Sequence, residues 1–303
     1  RALAERHSVS PQQVTLGNGS NELIDFLMKA FADDSCEVVI AERAFIAYRM
    51  ALQAAGGRGI FVPMHNGTHD LKAMADAITR YTKLVFIANP NNPTGTLVEA
   101  DEFDRFMERV PEKVIVVMDE AYAEYVESPR YPNALRYLHQ GRNVVILKTF
   151  SKIYGLAGLR GGYGLAPKEL AEGINKIHQP YNVNTLAQAA ALVSLDDSQH
   201  LERSRQFNRI GKAYLYQELD CLGISYLPTE GNFLLVDFGR DVSSIHRRLY
   251  REGIFVRPMK MYDLPNHLRV TIGLPEENER FIRVLGEILE LEAEGVKYDV
   301  AQA

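Results

Sequence analysis

From about residue 14 to residue 178, short apolar runs at 38–40, 84–88, 114–118, 144–147 and 162–165 alternate with longer amphipathic stretches. In one such stretch Leu23, Phe26, Leu27, Ala30 and Phe31 follow the i, i+3, i+4, i+7, i+8 spacing of a helix with one apolar face. Apolar strands separated by helices predict βαβ units and a mainly parallel sheet covered on both faces, a three-layer α/β/α arrangement. After about Asp197 the texture changes. A charged helix over 200–222 leads to an apolar run at 233–238, a helix at 243–252 and a strand at 268–272. A final helix over 278–294 carries Phe281, Ile282, Leu285, Ile288 and Leu289 on one side. This half is expected to be a smaller α+β domain, which places the domains at 1–197 and 198–303.

The length of 303 residues agrees with two domains at roughly 150 residues each. With 46% apolar and 24% charged residues, the chain is neither disordered nor collagen-like nor a coiled coil. A net charge of −5 gives no electrostatic reason to expect nucleic acid or an anionic membrane as partner. The longest aliphatic run, 114–118, is far short of the ~20 residues that span a bilayer, so a soluble protein is expected. Cys36 and Cys221 have neither C-x-x-C nor zinc spacing and are expected to be reduced thiols, small core residues of a cytoplasmic protein. The chain opens at Arg1 inside a helical pattern, and a preceding segment of the natural protein is expected.

Four segments carry candidate chemistry. Gly17-Asn18-Gly19-Ser20-Asn21-Glu22 stands directly before the helix that starts near Leu23. Glycines turn tightly and a helix N-terminus offers unpaired N–H groups, which suits a phosphate, although a plain capped turn reads the same way. No G-x-G-x-x-G and no Gly-Lys-Ser/Thr motif is present, so nicotinamide and nucleoside-triphosphate readings lose their main support. Ala88-Asn89-Pro90-Asn91-Asn92-Pro93-Thr94-Gly95 is a stiff loop after an apolar strand, where α/β sheets bind ligands. The next strand ends in Asp119, a carboxylate that needs a cationic partner, a metal or a helix N-terminus. Ser151-Lys152 follows the run at 144–147, with Arg160 eight residues on. A lysine among apolar residues has a lowered pKa and serves as a nucleophilic amine, whereas most lysines are solvated surface charges. A phosphate cradle, a strand-end Asp, a strand-end Lys and a nearby Arg, in that order, are the parts needed to hold pyridoxal 5′-phosphate.

These motifs resemble those of the fold-type I pyridoxal-phosphate aminotransferases, and within them the set is most similar to the histidinol-phosphate aminotransferases. The matching residues are Leu16-Gly-Asn-Gly-Ser-Asn-Glu22, Pro90-Asn-Asn-Pro-Thr-Gly95, Asp119-Glu-Ala-Tyr122, Thr149-Phe-Ser-Lys-Ile-Tyr-Gly-Leu-Ala-Gly-Leu-Arg160, Gly253-Ile-Phe-Val-Arg-Pro258 and His267-Leu-Arg-Val-Thr-Ile-Gly273. The resemblance implies that Lys152 bonds the cofactor aldehyde and then shuttles a proton, while Asp119 pairs with the pyridine nitrogen. It gives Asn92 and Tyr122 to the phenolic O3′, and Ser20, Asn21, Ser151 and Arg160 to the phosphate. Phe45 falls where the family stacks an aromatic ring on the pyridine; many relatives carry Tyr there. Arg269 matches the carboxylate-binding arginine and Arg257 the one that binds the phosphate of histidinol phosphate.

The reaction this implies is ping-pong transfer of an amino group between glutamate or 2-oxoglutarate and the imidazole-acetol phosphate/histidinol phosphate pair, a step of histidine synthesis, in a homodimer. The family's N-terminal arm, with its substrate-contacting aromatics and a Tyr that reaches the partner's cofactor phosphate, has no counterpart in these residues. An aromatic-amino-acid aminotransferase or a threonine-phosphate decarboxylase shares nearly all the cofactor residues, and Arg257 argues against the first only. A non-enzymatic pyridoxal-phosphate-sensing regulator is the alternative of a different class; the acidic charge and the lack of a basic helix-turn-helix segment count against it.

Overall fold

The computed structural model describes residues 1–293. The expected last residue of the final helix, Glu294, and the end of the 198–303 segment lie outside the described residues. Seven strands, β1 (Val14–Asn18), β2 (Glu37–Ala41), β3 (Arg58–Val62), β4 (Thr82–Ala88), β5 (Ile115–Asp119), β6 (Val144–Thr149) and β7 (Gly161–Leu165), form one sheet in the order β1-β7-β6-β5-β4-β2-β3. The pairs β2·β3, β2·β4, β4·β5 and β5·β6 are parallel, and β7 runs antiparallel to both its neighbours. Every residue of β5 and β7 is buried, and β4 and β6 are buried except at Lys83 and Lys148, as a sheet covered on both faces requires.

Two strands go beyond the five apolar runs of the sequence pattern. Both are edge strands: β1 alternates buried and exposed positions at its end, and β3 exposes Arg58 and Phe61. An edge strand needs only one apolar face, so it leaves no continuous apolar run to read. The helix Ser20–Phe31 packs on the sheet through Leu23, Ile24, Phe26, Leu27 and Met28, one step wider than the spacing first suggests.

A second, antiparallel sheet has the order β10-β11-β9-β8, built from β8 (Ser225–Leu227), β9 (Phe233–Asp237), β10 (Arg257–Met259) and β11 (Leu264–Thr271). The helices Ser198–Cys221, Ser243–Arg251 and Pro275–Ala293 accompany it, and Leu215, Leu234, Val236, Leu249, Leu268 and Leu285 lie in a separate core. The long helix ties the two cores together, because its Leu201 packs into the larger one while Leu215 and Leu219 belong to the smaller. The expectation that both cysteines are core residues does not hold: Cys36 is half-buried and Cys221, last in the long helix, is exposed. Both are free thiols. No described helix is long and apolar enough to cross a membrane.

Register gathers the chemistry at one edge. Ala88 pairs with Asp119, Asp119 with Leu147, Thr149 with Gly162 and Asn18 with Gly161. The carboxyl ends of β1, β4, β5 and β6 and the start of β7 therefore converge, and the loops that leave the first four, with the one that enters β7, open on the same cleft.

Candidate active site

Asp119, the last residue of β5, is 5% exposed and sits in an otherwise apolar neighbourhood. The Tyr48 hydroxyl donates to its Oδ2 at 2.7 Å and the Ala121 amide to its Oδ1 at 3.2 Å. Burial pushes its carboxyl above the usual 3.8, and these two donors with Lys152 and Lys148 oppose the rise. Lys152 is held below the ordinary lysine range, first by burial and then by the Arg269 guanidinium, with Asp119 working the other way. Its Nζ lies 5.1 Å from the centre of the Tyr122 ring. Burial raises the Tyr122 hydroxyl to about 12, which keeps it a hydrogen-bond donor at any working pH. A carboxylate, an amine and a phenol with environments that push their protonation apart are the composition of a proton-handling site.

The phosphate-cradle segment folds as that reading requires. Gly19 precedes the helix Ser20–Phe31 with φ +81° and no side chain caps that helix, so the first N–H groups are left for a ligand. Arg160, itself left-handed at φ +62°, brings its guanidinium against this end: a methyl group on Gly19 would lie 2.6 Å from one of its nitrogens. A methyl on Gly162 would run into the Ser20 amide nitrogen and the Gly19 backbone, so glycine is required for β7 to approach so closely. An arginine set against the positive end of a helix repels it unless an anion lies between them, and Ser20, Asn21 and Ser151 line the same space.

The loop 88–96 is fixed by its own asparagines. Asn89 exchanges two hydrogen bonds with Val98, at 3.0 and 2.8 Å, and the Tyr131 hydroxyl donates to the Asn89 carbonyl at 2.7 Å. Asn92 faces the cleft, where its Oδ1 accepts from Arg269 at 2.5 Å. Arg269 comes from β11 and lies 5.0 Å over the Phe233 ring, whose edge meets the Tyr122 ring. Phe45 stands at the opposite wall, edge-on to Tyr48 with the ring centres 5.8 Å apart. Ten of the residues singled out in the sequence thus line one cavity of about 270 Å³: Lys152, Asp119, Tyr122, Asn92, Phe45 and Arg269 around its body and Ser20, Asn21, Ser151 and Arg160 at its anion end. Arg257 is not among them. It is exposed on β10, directly opposite Arg269 in the antiparallel pair, with its guanidinium 3.6 Å from the Met261 sulfur. Directly paired residues start from one face of the sheet, although the Arg269 guanidinium turns to Asn92 and the Arg257 guanidinium to Met261.

The sequence reading missed Tyr48 as a donor to Asp119; its signal was its place three residues after Phe45, on the same face of the helix Ile46–Ala55. Phe233, the platform beneath Arg269, looked like any strand-end aromatic. The donor set fits pyridoxal phosphate: an anion cradle at one end, a buried carboxylate that lacks a cation, and an amine of lowered pKa beside it. The sign of the Asp119 shift is testable without the cofactor. Its carboxyl holds a proton to higher pH when folded than when unfolded, so stability falls as pH rises from about 3.8 through the raised folded value. Asp119→Asn removes that cost. The cofactor-free variant is expected to melt higher than the parent at pH 8. The difference should vanish near pH 4. A variant that melts lower at pH 8 contradicts the assignment.

Comparison with known proteins agrees with this geometry. The model for "Aminotransferase class I and II" matches residues 1–285. A histidinol-phosphate aminotransferase of Pseudomonas aeruginosa is 48% identical over 289 residues, covering 95% of this chain and 78% of that protein. One from Moorella thermoacetica is also 48% identical, covering 95% of this chain and 75% of its own. The crystal structure of histidinol-phosphate aminotransferase from Sinorhizobium meliloti in complex with pyridoxal 5′-phosphate superposes with a TM-score of 0.89 at 28% identity, over 95% of this chain and 80% of that one. The family match over residues 1–285 and 48% identity to relatives that it covers by three quarters or more show that the chain belongs to the class I and II pyridoxal-phosphate-dependent aminotransferases, in their histidinol-phosphate aminotransferase branch.

Proposed function

We propose that this enzyme moves an amino group between glutamate/2-oxoglutarate and the imidazole-acetol phosphate/histidinol phosphate pair, in histidine synthesis. The observation that carries the substrate is the pairing of Arg257 with Arg269 across β10 and β11, where Arg269 lines the Lys152 cavity and Arg257 lies opposite it in register. Like charges placed directly opposite are unfavourable unless anions lie on them. Arg269 offers its planar fork to a carboxylate and Arg257 takes the phosphate. One mouth then accepts a diacid in one half of the cycle and a phosphorylated amine in the other.

When bound, pyridoxal phosphate supplies an aldehyde for the amino group and a ring that accepts electrons. Lys152 would supply the amine for that aldehyde and would move the proton between the substrate Cα and the cofactor C4′. Its lowered pKa leaves it free base at a smaller cost than an exposed lysine. Asp119, oriented by Tyr48 and the Ala121 amide, holds a proton at the pyridine nitrogen. Asn92 and Tyr122 would hydrogen-bond the phenolic oxygen, Phe45 would face the ring, and Ser20, Asn21, Ser151 and Arg160 would hold the phosphate.

We further infer that residues 1–197 form the cofactor-binding domain and residues from 198 onward the smaller one, and that two cytoplasmic copies make a homodimer. Support for the dimer is the helix Thr185–Ser194, which leaves Leu186, Leu192 and Val193 at 72%, 57% and 73% exposure beside the largely exposed Tyr181. Sedimentation equilibrium is expected to read a dimer, and a monomer at assay concentration overturns that point.

Holoenzyme mixed with histidinol phosphate alone is expected to pass to the amine form of the cofactor, reversed by 2-oxoglutarate. Reaction with threonine phosphate or phenylalanine instead would move the function to a neighbouring activity of the same fold. Arg257→Ala should raise KM for histidinol phosphate by about 10–100-fold, the loss of one charge-assisted contact of roughly 1.5–3 kcal/mol, with glutamate affected far less. Equal effects on both substrates contradict the phosphate role.

A further inference from the structure

His69 lies outside the cavity and is 4% exposed, one residue before the Asp70 cap of the helix Leu71–Asp76. Its Nε2 is 3.2 Å from Oδ1 of Asn91, which is fully buried in the loop that carries Asn92. The Asn91 amide settles the direction of this bond. Asn91 Nδ2 donates to the Arg43 carbonyl at 3.2 Å and to Thr94 Oγ1 at 2.8 Å, so both its hydrogens are used and Oδ1 can only accept. Nε2 of His69 therefore carries the proton. Burial holds the ring neutral, with a pKa of about 4, and leaves Nδ1 as a bare nitrogen without a partner. Leucine or methionine would fill this space without burying an unpaired nitrogen. What they lack is the N–H that Asn91 requires, and among the described residues nothing else donates to that oxygen.

One carboxamide thus joins three segments. The Arg43 carbonyl precedes Phe45 by two residues, Asn91 precedes Asn92, and the Asn91 backbone closes its own loop through Thr96 at 2.9 Å and Gly95 at 2.8 Å. The same two loops touch once more where Thr96 Oγ1 donates to the Gly67 carbonyl at 2.7 Å. We propose that His69 is a positioning residue of the cofactor site: its Nε2–H orients the Asn91 carboxamide, which sets the Asn92 loop against the wall that carries Phe45. This rests on the assignment of Asn92 and Phe45 to the cofactor.

The test compares His69→Leu with His69→Gln in the holoenzyme, because glutamine places an amide N–H near the position of Nε2. The leucine variant is expected to shift the pH midpoint of the lysine-bound cofactor's absorbance and to lower kcat/KM on the order of tenfold, as loss of one hydrogen bond does. The glutamine variant should stay within about twofold of the parent on both readings. A leucine variant with unchanged absorbance midpoint and rate, or two variants equally impaired, overturns the proposal; a simple packing defect would lower the melting temperature without moving the midpoint. Asn92→Ala in the same assay separates the two levels. If it leaves the midpoint unchanged, the cofactor assignment itself fails; if it moves the midpoint and His69→Leu does not, only the present inference fails. Should the leucine variant not fold, 15N spectra of the parent holoenzyme decide: a neutral ring protonated at Nε2 is expected, and a ring protonated at Nδ1 overturns the proposal.

Discussion

The structure depends on a carboxylate kept where water cannot solvate it. Asp119 closes a strand that is buried from end to end, and a charge there is expensive unless a cation answers it. Tyr48 and the Ala121 amide orient the group without neutralising it, and Lys152 lines the same cavity with its pKa held below the ordinary lysine range by burial. The site is thus poised for a cationic ring nitrogen. The same low-dielectric pocket that raises Asp119 lowers Lys152, so one physical cause prepares both the acid and the base.

Around that centre the fold supplies anion sites of two kinds. At the floor, the uncapped helix after Gly19 and the left-handed Arg160 converge on a space that only an anion makes favourable. At the mouth, Arg269 reaches in from the second sheet, bonded to Asn92 and resting on Phe233. The proposed reading gives the cofactor to the larger core and the substrate arginines to the second sheet, and the long helix Ser198–Cys221 is rooted in both cores.

Much of this was legible in the sequence because the chemistry sits at strand ends. A buried parallel strand announces itself as an apolar run, and the first polar residue after it marks the ligand edge, which is how Asp119 could be found; after the run 144–147 that residue is Lys148, and Lys152 stood out only through its motif and the resemblance that the motif carries. The edge strands β1 and β3 left no such run. Tyr48 and His69 were missed for another reason: each makes a hydrogen bond to a residue 71 or 22 positions away, and local spacing, which put Tyr48 on the face of Phe45, does not name such a partner. The cysteines misled because burial frequency is a statement about residue types, and Cys221 happens to end a helix at the surface.

The central claim is that Lys152, and no other lysine, bonds the cofactor opposite Asp119. Lys148 is the sharpest competitor, since it is also buried, but Glu120 and Glu124 hold it as an ammonium ion at 3.1 and 2.8 Å and raise its pKa. Borohydride reduction of the holoenzyme followed by peptide mass spectrometry tests this directly. The account predicts a pyridoxyl-phosphate mass on the peptide that contains Lys152, at that residue, and none after Lys152→Ala. The label on Lys148, or undiminished labelling of the Lys152→Ala variant, would contradict it.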